Sequence, residues 1–376
     1  MCTLSQHWSC FQKSFWQLPE EAFPDGVTPF HTRFMWLLDW VPVQRFVEGP
    51  RPRPGHPEHD RRSLLRAFLA KALGDVPTTE ALIERLHVDP TLRRLCGWEM
   101  RRQIPSASTF SRAFAEFAKF SLLDQIHAWL VKQHLADTVV LHVSRDSTAI
   151  EARERCQKPP LPEPPEPPPP PKKRGRPRKD EPPRETVPTR VQRQYATAGT
   201  ERETDALLAE LPALCDVGAK RNAKGDCIRW RGYKLHADTG DDGIPVFCFT
   251  TSASMHDSQA AIPMARKTAA RVTSLYDLMD SAYDAEEIWH TSRDLGHVPI
   301  IDENPGRKGK AAKVPMEPYQ ARHYRHRSGA ERFNSMLKDN HGGRHVRVRG
   351  RAKVHAHLMT GVIAIFAAVL QGWAAA

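Results

Sequence analysis

Four side chains suited to work on a phosphodiester recur at helical spacing in the stretch YRHRSGAERFNSMLK. They are Tyr324, Arg327, Glu331 and Lys338, at offsets of three, seven and fourteen residues. Because each residue of an α-helix advances about 100°, the four side chains fall within an arc of roughly 60°. One helix would then place a carboxylate among a phenol, a guanidinium and an ammonium group, which predicts a metal ligand flanked by phosphate-binding cations. The plainer interpretation is a solvated helix with an Arg327–Glu331 ion pair that contributes about 0.3–0.5 kcal/mol.

Two further acids follow apolar runs that predict buried strands. Asp146 ends the run in Val139–Thr148 (VVLHVSRDST), and Asp280 ends the run in Val272–Asp284 (VTSLYDLMDSAYD). Strand ends are places where a rigid scaffold exposes reactive side chains. Asp277 is the rival for the second position, but on a strand it points to the face opposite Asp280. We therefore expect Asp280 to join Asp146.

Three carboxylates form the donor set of hard divalent cations. Asp146, Asp280 and Glu331 offer oxygen ligands, which Mg²⁺ prefers. Two such ions about 3.5–4 Å apart stabilise the attacking and leaving oxygens of an in-line phosphoryl displacement. The sequence therefore predicts a site for two Mg²⁺ ions, for which Mn²⁺ can substitute.

The elements that would position these residues begin with a helical region. Residues 1–30 form a tail without usable periodicity, and residues 31–136 predict a helical domain for DNA binding or dimerisation. Its helix signals are, in chain order, an apolar period from Leu64 to Leu73 stopped by Gly74, a cap at Thr78 or Thr79, Pro90 in a first turn that leads to Gly97, and a cap at Ser106 or Ser108 before the core residues Phe110, Phe114 and Phe117.

This helical region has two interpretations. It could contain a helix-turn-helix, in which Ser108, Thr109 and Arg112 stand near the start of a recognition helix. The alternative is a scaffold or dimerisation role, since any small helical bundle has similar punctuation.

A hairpin is predicted in the second half of the chain. Ile228–His236 and Pro245–Thr251 flank TGDDG, a turn signal between two strand patterns. Arg229, Arg231 and Lys234 recur along the first strand, which predicts either a face against DNA or an ordinary exposed sheet face.

Residues 157–200 interrupt the predicted catalytic domain, which spans 137–376. Fourteen of the chain's 32 prolines lie between Pro159 and Pro188, which predicts an extended or disordered linker. Within it, KRGRPRK resembles an AT-hook, a motif whose extended core enters the narrow minor groove of A·T-rich DNA. The core residues are Arg174, Gly175, Arg176 and Pro177. The alternative is an unspecific basic linker.

Charge is concentrated in two runs. The chain carries a formal charge of +11, while residues 172–179 contribute +6 and residues 344–353 (RHVRVRGRAK) contribute +5. Patches of one sign favour a polyanionic partner over a merely solubilising surface. Arg347 and Arg349 of the second run are therefore candidate DNA contacts.

Composition argues against several other classes. The seven cysteines include no CxxC pair, which favours neither a disulfide framework nor a zinc module. We expect no secretory signal. Leu358–Ala376 is long enough to span a bilayer, but Thr360, Gln371 and its many small residues favour a core helix packed on the sheet.

Together these motifs resemble bacterial insertion-sequence transposases of the DDE type, in the branch with a Tyr-Arg-Glu-Lys signature. The matching stretches are RDST at Asp146, the segment Gly232–Ser258, MDSAYD at Asp280 and the signature Tyr324–Lys338, while Arg61–Phe114 resembles the helical N-terminal domain of such enzymes. His256 and Asp257 match a dipeptide of the family, and either line the active site or stabilise a turn.

The resemblance implies an α/β fold with a ribonuclease-H-like mixed-sheet core, preceded by the all-α domain. It implies Asp146, Asp280 and Glu331 as the metal triad, with Tyr324, Arg327 and Lys338 against the DNA. The implied activity is cut-and-paste transposition, in which transposon ends are cleaved and the 3′-hydroxyl is transferred into target DNA. The implied partners are double-stranded ends and target DNA, bound by a homodimer in a synaptic complex.

The resemblance also implies a bacterial cytoplasmic protein associated with the nucleoid. Trp289 is a candidate to stack a flipped base in a hairpin intermediate, with core packing as the alternative. Other functions stay open: a ribonuclease-H-like endonuclease or resolvase without strand transfer, a non-catalytic DNA-binding relative, and a membrane-anchored protein.

Overall fold

A computed structural model of the chain describes residues 26–49, 58–156, 187–221, 225–304 and 315–375. Helices precede the first strand, and a mixed sheet with further helices follows it, as expected for an α/β chain. The change lies between Leu135 and Val139, close to the predicted boundary. The division into domains stays a prediction.

The described helices before the first strand follow the sequence signals closely. They are α1 (Pro29–Trp40), α2 (Val43–Phe46), α3 (Arg61–Leu73), α4 (Thr79–Val88), α5 (Pro90–Cys96), α6 (Ala107–Lys119) and α7 (Leu122–Leu135). Gly74 ends α3, and the Thr78 hydroxyl caps α4 by accepting from the Ala81 amide at 3.0 Å. Gly97 ends α5 with φ 104°, a left-handed conformation that favours glycine. These predicted boundaries are confirmed.

Aromatic packing holds this helical part together. Phe110, Phe114 and Phe117 of α6 are buried around Phe68 of α3, so the prediction that they are core residues is confirmed. Ser108 and Arg112 are exposed on α6, whereas Thr109 is buried. The helix-turn-helix interpretation stays a prediction.

The sheet is mixed. Its strands are β1 (Val139–Glu151), β2 (Asp216–Arg221), β3 (Cys227–Thr239), β4 (Pro245–Ser252), β5 (Thr273–Met279) and β6 (Val298–Ile301). Their order is β2-β3-β1-β5-β6, and β4 also pairs with β3. The β1-β5-β6 pairs are parallel, while β3 runs antiparallel to β1, β2 and β4. The predicted β3–β4 hairpin is confirmed.

Helices follow and cover the strands. They are α8 (Arg190–Tyr195), α9 (Glu201–Ala209), α10 (Ser258–Ala269), α11 (Glu286–Asp294), α12 (Pro318–Tyr324), α13 (Ser328–Asn340) and α14 (Arg351–Ala375). Helix α8 packs on α10 and α11, and Arg190 donates to Gln259 at 2.8 Å. The predicted linker of 157–200 therefore extends too far, because a packed helix occupies 190–195. Residues 157–186 lie outside the described ranges.

Helix α14 connects the two parts of the molecule. It packs against α7, α3, α6 and α1 on one side and against β4 and α13 on another. Of the helices in the described residues, this one is long and apolar enough to cross a membrane, over Arg351–Gly372. However, 78% of that apolar stretch is buried inside the protein, as expected of a core helix. Its packing is shared between the sheet and the N-terminal helices, not confined to the sheet as predicted.

Three buried histidines should make folding sensitive to acid. Burial, as the largest cause, lowers the pKa of His127 to about 3 and the pKa values of His236 and His357 to about 4. The unfolded chain protonates these groups near pH 6.5, so their contribution is complete above that value and is lost as pH falls toward 4. We expect each histidine to remove up to about 1.4 kcal/mol of stability per pH unit in this window.

Urea unfolding at pH 7, 6 and 5 measures this effect. His236→Gln should flatten the dependence of the unfolding free energy on pH, while the matched change at the exposed His87 should leave it unaltered. Parallel curves for wild type and His236→Gln would contradict the assignment.

Candidate active site

Asp146 and Asp280 are adjacent because they sit where parallel pairing between β1 and β5 stops. The last paired residues are Arg145 and Met279, and the acids come next on each strand. Asp280 follows β5 directly, as predicted. Asp146 was expected at a strand end, which is wrong: β1 continues to Glu151, since β3 keeps pairing with it.

Helix α13 brings the third acid to this edge. Phe333 and Leu337, one turn apart, are buried and pack α13 on the core, which leaves Glu331 on another face at 62% side-chain exposure. The helix start lies close to the β3–β4 turn, where a Cβ on Gly243 would meet the Gly329 carbonyl oxygen at 3.0 Å. Gly243 also has φ 78°, so its conformation and the close approach both favour glycine.

One guanidinium joins the three acids. The Nη2 atom of Arg327 lies 3.3 Å from Asp146 Oδ1 and 3.7 Å from Asp280 Oδ2, and its Nη1 atom lies 2.9 Å from Glu331 Oε1. The two aspartate oxygens are therefore no farther apart than the sum of their distances to that shared nitrogen. Residues separated by 185 positions in the sequence thus meet at one side chain, which is only 17% exposed.

The electrostatics of Asp146 reflect this crowding. Burial, above all, raises the pKa of the Asp146 carboxyl; Asp280 adds to the rise, and Arg327 opposes it. Two carboxylates at close range disfavour each other's ionisation, so the pocket requires positive charge. Arg327 supplies that charge in this structure.

Asn334 is a site residue that the sequence interpretation missed. Its Nδ2 atom donates to Asp146 Oδ2 at 3.0 Å, and its buried Oδ1 atom has no hydrogen-bond partner among the described residues. Its position three residues after Glu331 places both on neighbouring turns of one helix, but that spacing alone does not distinguish a site residue from a surface residue. The hydroxyl of Tyr283 is likewise buried and unpartnered, and its pKa is raised mainly by burial and further by Asp257, Asp146 and Asp280.

The residues present fit a divalent cation. Three carboxylates converge from β1, the end of β5 and α13, and they are the hard oxygen donors that Mg²⁺ prefers. The unpartnered Oδ1 of Asn334 adds a neutral oxygen beside them. A guanidinium now holds the charge that such a donor set requires.

The signature does not form one continuous α-helix, so that expectation is wrong. Tyr324 ends α12, a 3₁₀ turn spans Arg325–Arg327, and α13 begins at Ser328. A 3₁₀ turn advances about 120° per residue, which rotates Tyr324 relative to Glu331. Tyr324 still borders the acids: burial raises its pKa to about 12, Arg327 opposes the rise, and Asp280 and Asp146 contribute to it.

A stack of rings holds the 3₁₀ turn on the sheet. His142 of β1 contacts Asp241 through Nδ1 and His323 through Nε2, both at 2.8 Å, and its ring stacks on His326 at 4.1 Å. Nitrogen and oxygen atoms of His142, Asp241 and His326 lie within 4.8 Å of one another, a spacing that could hold a metal ion; within the described residues no other trio of His, Cys, Asp or Glu meets it, the three acids around Arg327 included. Because the two stacked rings are parallel within 8°, they cannot both direct a nitrogen at one ion lying in their planes. We assign the stack to positioning the turn that carries Arg327.

Lys234 does not offer a free ammonium group to DNA. Its Nζ atom donates to Asp257 Oδ1 at 2.9 Å and to the Met255 carbonyl at 2.8 Å, and its side chain is 14% exposed. The DNA contact at Lys234 stays a prediction, but the expected common face is wrong, since residues 229 and 231 point to the other face of the strand. Asp257 uses this ion pair to hold the start of α10 near β3.

The remaining candidates from the sequence are Asp277, Trp289 and Lys338. Asp277 is 3% exposed and accepts from Ser292 at 2.5 Å, with His297 at 3.1 Å, away from the acid group. Trp289 is partly buried and donates to Asp284 at 3.0 Å, which fits core packing. Lys338 is partly buried and, in the described part of the chain, forms no ion pair.

The other basic residues that the sequence predicts to contact DNA lie in two parts of the chain. Arg347 and Arg349 are exposed and line a cavity beside the helical part. The AT-hook residues Arg174, Gly175, Arg176 and Pro177 lie outside the described residues, so that interpretation stays a prediction.

Two protein-family models match the chain. One, described as a transposase DDE domain, matches residues 198–367. The other, described as a transposase domain (DUF772), matches residues 21–116. The first match includes Asp280 and Glu331 and begins after Asp146, beyond the proline-rich insertion. No curated protein and no solved structure matches the chain.

Proposed function

We propose that this chain is an insertion-sequence transposase, as its matches to a DDE domain and a DUF772 transposase domain support, and that it cuts transposon ends and joins the freed 3′-hydroxyl to target DNA with two Mg²⁺ ions. Such enzymes act on DNA and use divalent metal ions. The single observation that carries the finer proposal is the convergence of Asp146, Asp280 and Glu331 on one guanidinium.

The topology supports the same reading. The order β4-β3-β1-β5-β6, with the first three strands antiparallel and the last three parallel, fits the ribonuclease-H-like core that a DDE domain implies. In this arrangement the edge beyond the β1–β5 pairing is the place where both aspartates emerge. Glu331 on α13 completes the set from a different layer.

Asp146, Asp280 and Glu331 would hold the ions, as their oxygen chemistry allows. When bound, divalent ions supply charge neutralisation for the attacking and leaving oxygens of a phosphodiester. Arg327 is then no longer required as the counter-charge of the acids, and its two terminal nitrogens can bind a non-bridging phosphate oxygen pair. Lys338, on the same helix, would bind a neighbouring phosphate.

The reaction has two displacements at phosphorus. In the first, water attacks the phosphodiester at the transposon end; the bond from phosphorus to the 3′-oxygen breaks, leaving a 3′-hydroxyl and a 5′-phosphate. In the second, that hydroxyl attacks a target phosphodiester, forms a new bond to phosphorus and releases the target 3′-hydroxyl. Neither step requires a protein nucleophile, so the chain contributes charge, alignment and exclusion of competing solvent.

The partners follow from this chemistry. We propose that a homodimer pairs two transposon ends in the bacterial cytoplasm. The AT-hook-like stretch at Arg174–Pro177 would add contacts in the minor groove of A·T-rich DNA. Trp289 packs against buried residues and donates to Asp284, so it gives no support to a hairpin intermediate.

A strand-transfer assay tests the proposal. Purified protein, Mg²⁺ and a precut end with a free 3′-hydroxyl should yield joined product on a supercoiled target plasmid, and Ca²⁺ in place of Mg²⁺ should not. An end that carries a 3′-dideoxy terminus is the control, because it lacks the attacking oxygen. Cleavage of uncut ends without any joining of precut ends would instead identify a resolvase-like endonuclease.

A further inference from the structure

A basic cavity separates the helical part from the segment that follows α13. It has a volume of about 550 Å³. One wall comes from α3, the start of α4 and α6, and the other from the segment Gly342–Arg349 and the first turns of α14. The cavity is distinct from the acid group, since neither the three acids nor Arg327 lines it.

Five cations line this cavity against one carboxylate. The cations are Lys71, Arg153, Arg347, Arg349 and Lys353, and the carboxylate is Glu80. Within the described ranges, none of the five cationic side chains forms an ion pair or a hydrogen bond. A concavity lined by one sign of charge concentrates counter-ions, so these five cations without an ion pair favour binding of an anion from outside the chain.

Lys71 gives the strongest indication that the cavity binds an anion. It is a lysine of α3 with only 8% of its surface exposed. Burial of an ammonium group without a counter-ion is unfavourable, and burial is the main reason that its pKa is lowered to about 8. Asp75 is an acid nearby, but its carboxylate accepts from the Gly342 amide at 2.8 Å and faces His345 at 3.7 Å.

We propose that this cavity binds backbone phosphates of the transposon-end duplex, with Lys71, Arg153 and Lys353 as contacts beside Arg347 and Arg349. The inference rests on the proposed function for the identity of the DNA, while the cavity and its charges stand apart from the catalytic acids. It would give the helical part a DNA contact through α3, in addition to any contact through the start of α6.

The position along the DNA follows from β1. Arg153 lies seven residues after Asp146; β1 pairing and the bond from the Ala152 amide to the Arg231 carbonyl keep the chain extended as far as Ala152, and a bend follows at Arg153. At about 3.3 Å per residue the two positions are at most about 23 Å apart. Since B-DNA rises about 3.4 Å per base pair, a duplex that runs along β1 would present the contacted phosphates no more than about 7 base pairs from the cleaved bond.

The first test measures the salt dependence of binding. Lys71→Met keeps the apolar stem and removes the charge; Lys132→Met, at an exposed lysine of α7 outside the cavity, is the matched control. With a duplex of about 40 base pairs, the slope of log affinity against log salt should fall by about 0.9 for each lost phosphate contact. Lys132→Met should keep the wild-type slope. An unchanged slope for a folded Lys71→Met protein would overturn the proposal.

A second variant covers the case in which Lys71→Met fails to fold. Arg153→Gln removes an exposed cation from the same cavity without altering the core. It should reduce the slope by a similar amount. An unchanged slope for this variant would also count against the phosphate pocket.

The second test locates the contact. Ethylation of single phosphates on the end duplex should interfere with binding at one or two phosphates within about 7 base pairs of the cleavage point, and Arg153→Gln should abolish that interference. The experiment uses Asp280→Asn protein, so it does not depend on cleavage. If the wild-type protein neither cleaved nor joined ends while the interference persisted, the proposed function alone would be refuted, whereas interference unaffected by Arg153→Gln would refute the pocket.

A free anion is the remaining occupant to separate from DNA. Inorganic phosphate and the duplex should compete for wild-type protein, and duplex should bind the more tightly because several phosphates engage the five cations together. If inorganic phosphate stabilised the protein through Lys71 while the variant's DNA slope stayed at the wild-type value, the pocket would belong to a small anion and the proposal would fail.

Discussion

Asp280→Asn should reduce cleavage of transposon ends by about a thousandfold or more, while binding of the end duplex should change little. The substitution keeps the shape of the side chain and its cap to the Ala282 amide, because an amide oxygen also accepts that bond. It removes one of the three negative charges that a divalent cation requires in this pocket. Loss of one well-placed electrostatic partner typically costs two to three orders of magnitude in rate, on the order of 10²–10³, and loss of a metal ligand costs more.

The same result is expected for Asp146→Asn and Glu331→Gln. Asp339→Asn is the matched control, because Asp339 lies on α13 with Glu331 but is paired with Arg344 at 2.6 Å and takes no part in the acid group. Cleavage is measured on labelled duplex in Mg²⁺, and binding is measured in Ca²⁺. Full cleavage by any one of the three site variants would remove that residue from the triad.

Asp238→Ala should destabilise the protein by about 3–5 kcal/mol, the second large effect that we expect. Arg145 and Asp238 form a two-pronged pair across β1 and β3, at 2.8 Å and 2.7 Å, and are 2% and 0% exposed. Removing one partner leaves a buried guanidinium without compensation, which is the costly way to break such a pair. Because Arg145 precedes Asp146 on β1, we also expect cleavage to fall as the strand loses its fixed position.

The double variant Arg145→Met/Asp238→Leu tests the cause. It removes both charges, so much of the lost unfolding free energy should return. Lys267→Met is the comparison for a pair with an exposed acid, since Lys267 is 16% exposed and Asp205 opposite it is 59% exposed; it should change stability by less than about 1 kcal/mol. Urea unfolding measures all three, and equal losses for Asp238→Ala and Lys267→Met would contradict the argument.

Local signals in the sequence predicted most helix boundaries. Gly74, Thr78, Pro90 and Gly97 act within one turn of chain, so their effect needs no knowledge of the tertiary fold. Asp280 was predictable for a similar reason, because an apolar run followed by small polar residues ends a strand locally.

The errors arose where distant partners decide the outcome. The length of β1 depends on β3, which continues to pair as far as Glu151 after β5 has stopped. Lys234 was assigned to an exposed face, yet Asp257, 23 residues later, draws its ammonium into an ion pair. Both partners become visible only when the strands are placed side by side.

In the candidate site, too, local contacts could be predicted from the sequence and long-range contacts could not. The spacing of Arg327 and Glu331 predicted their pair, which forms at 2.9 Å. Spacing could not predict that Arg327 and Asn334 both contact Asp146. The helix and the strand that carry these residues are far apart in the sequence and meet only in the folded protein. An asparagine inside a helix carries no sequence signal that separates such a role from an ordinary surface position.

The position of Arg327 among the acids separates folding of the protein from binding of the proposed metal ions. Mutual repulsion of neighbouring carboxylates would otherwise resist closure of the pocket, and the guanidinium offsets it before any ion arrives. A newly made chain can therefore reach its final shape in a cell poor in free magnesium. At the proposed metal site, binding of an ion would then be a later exchange of one positive charge for another, not a condition for folding.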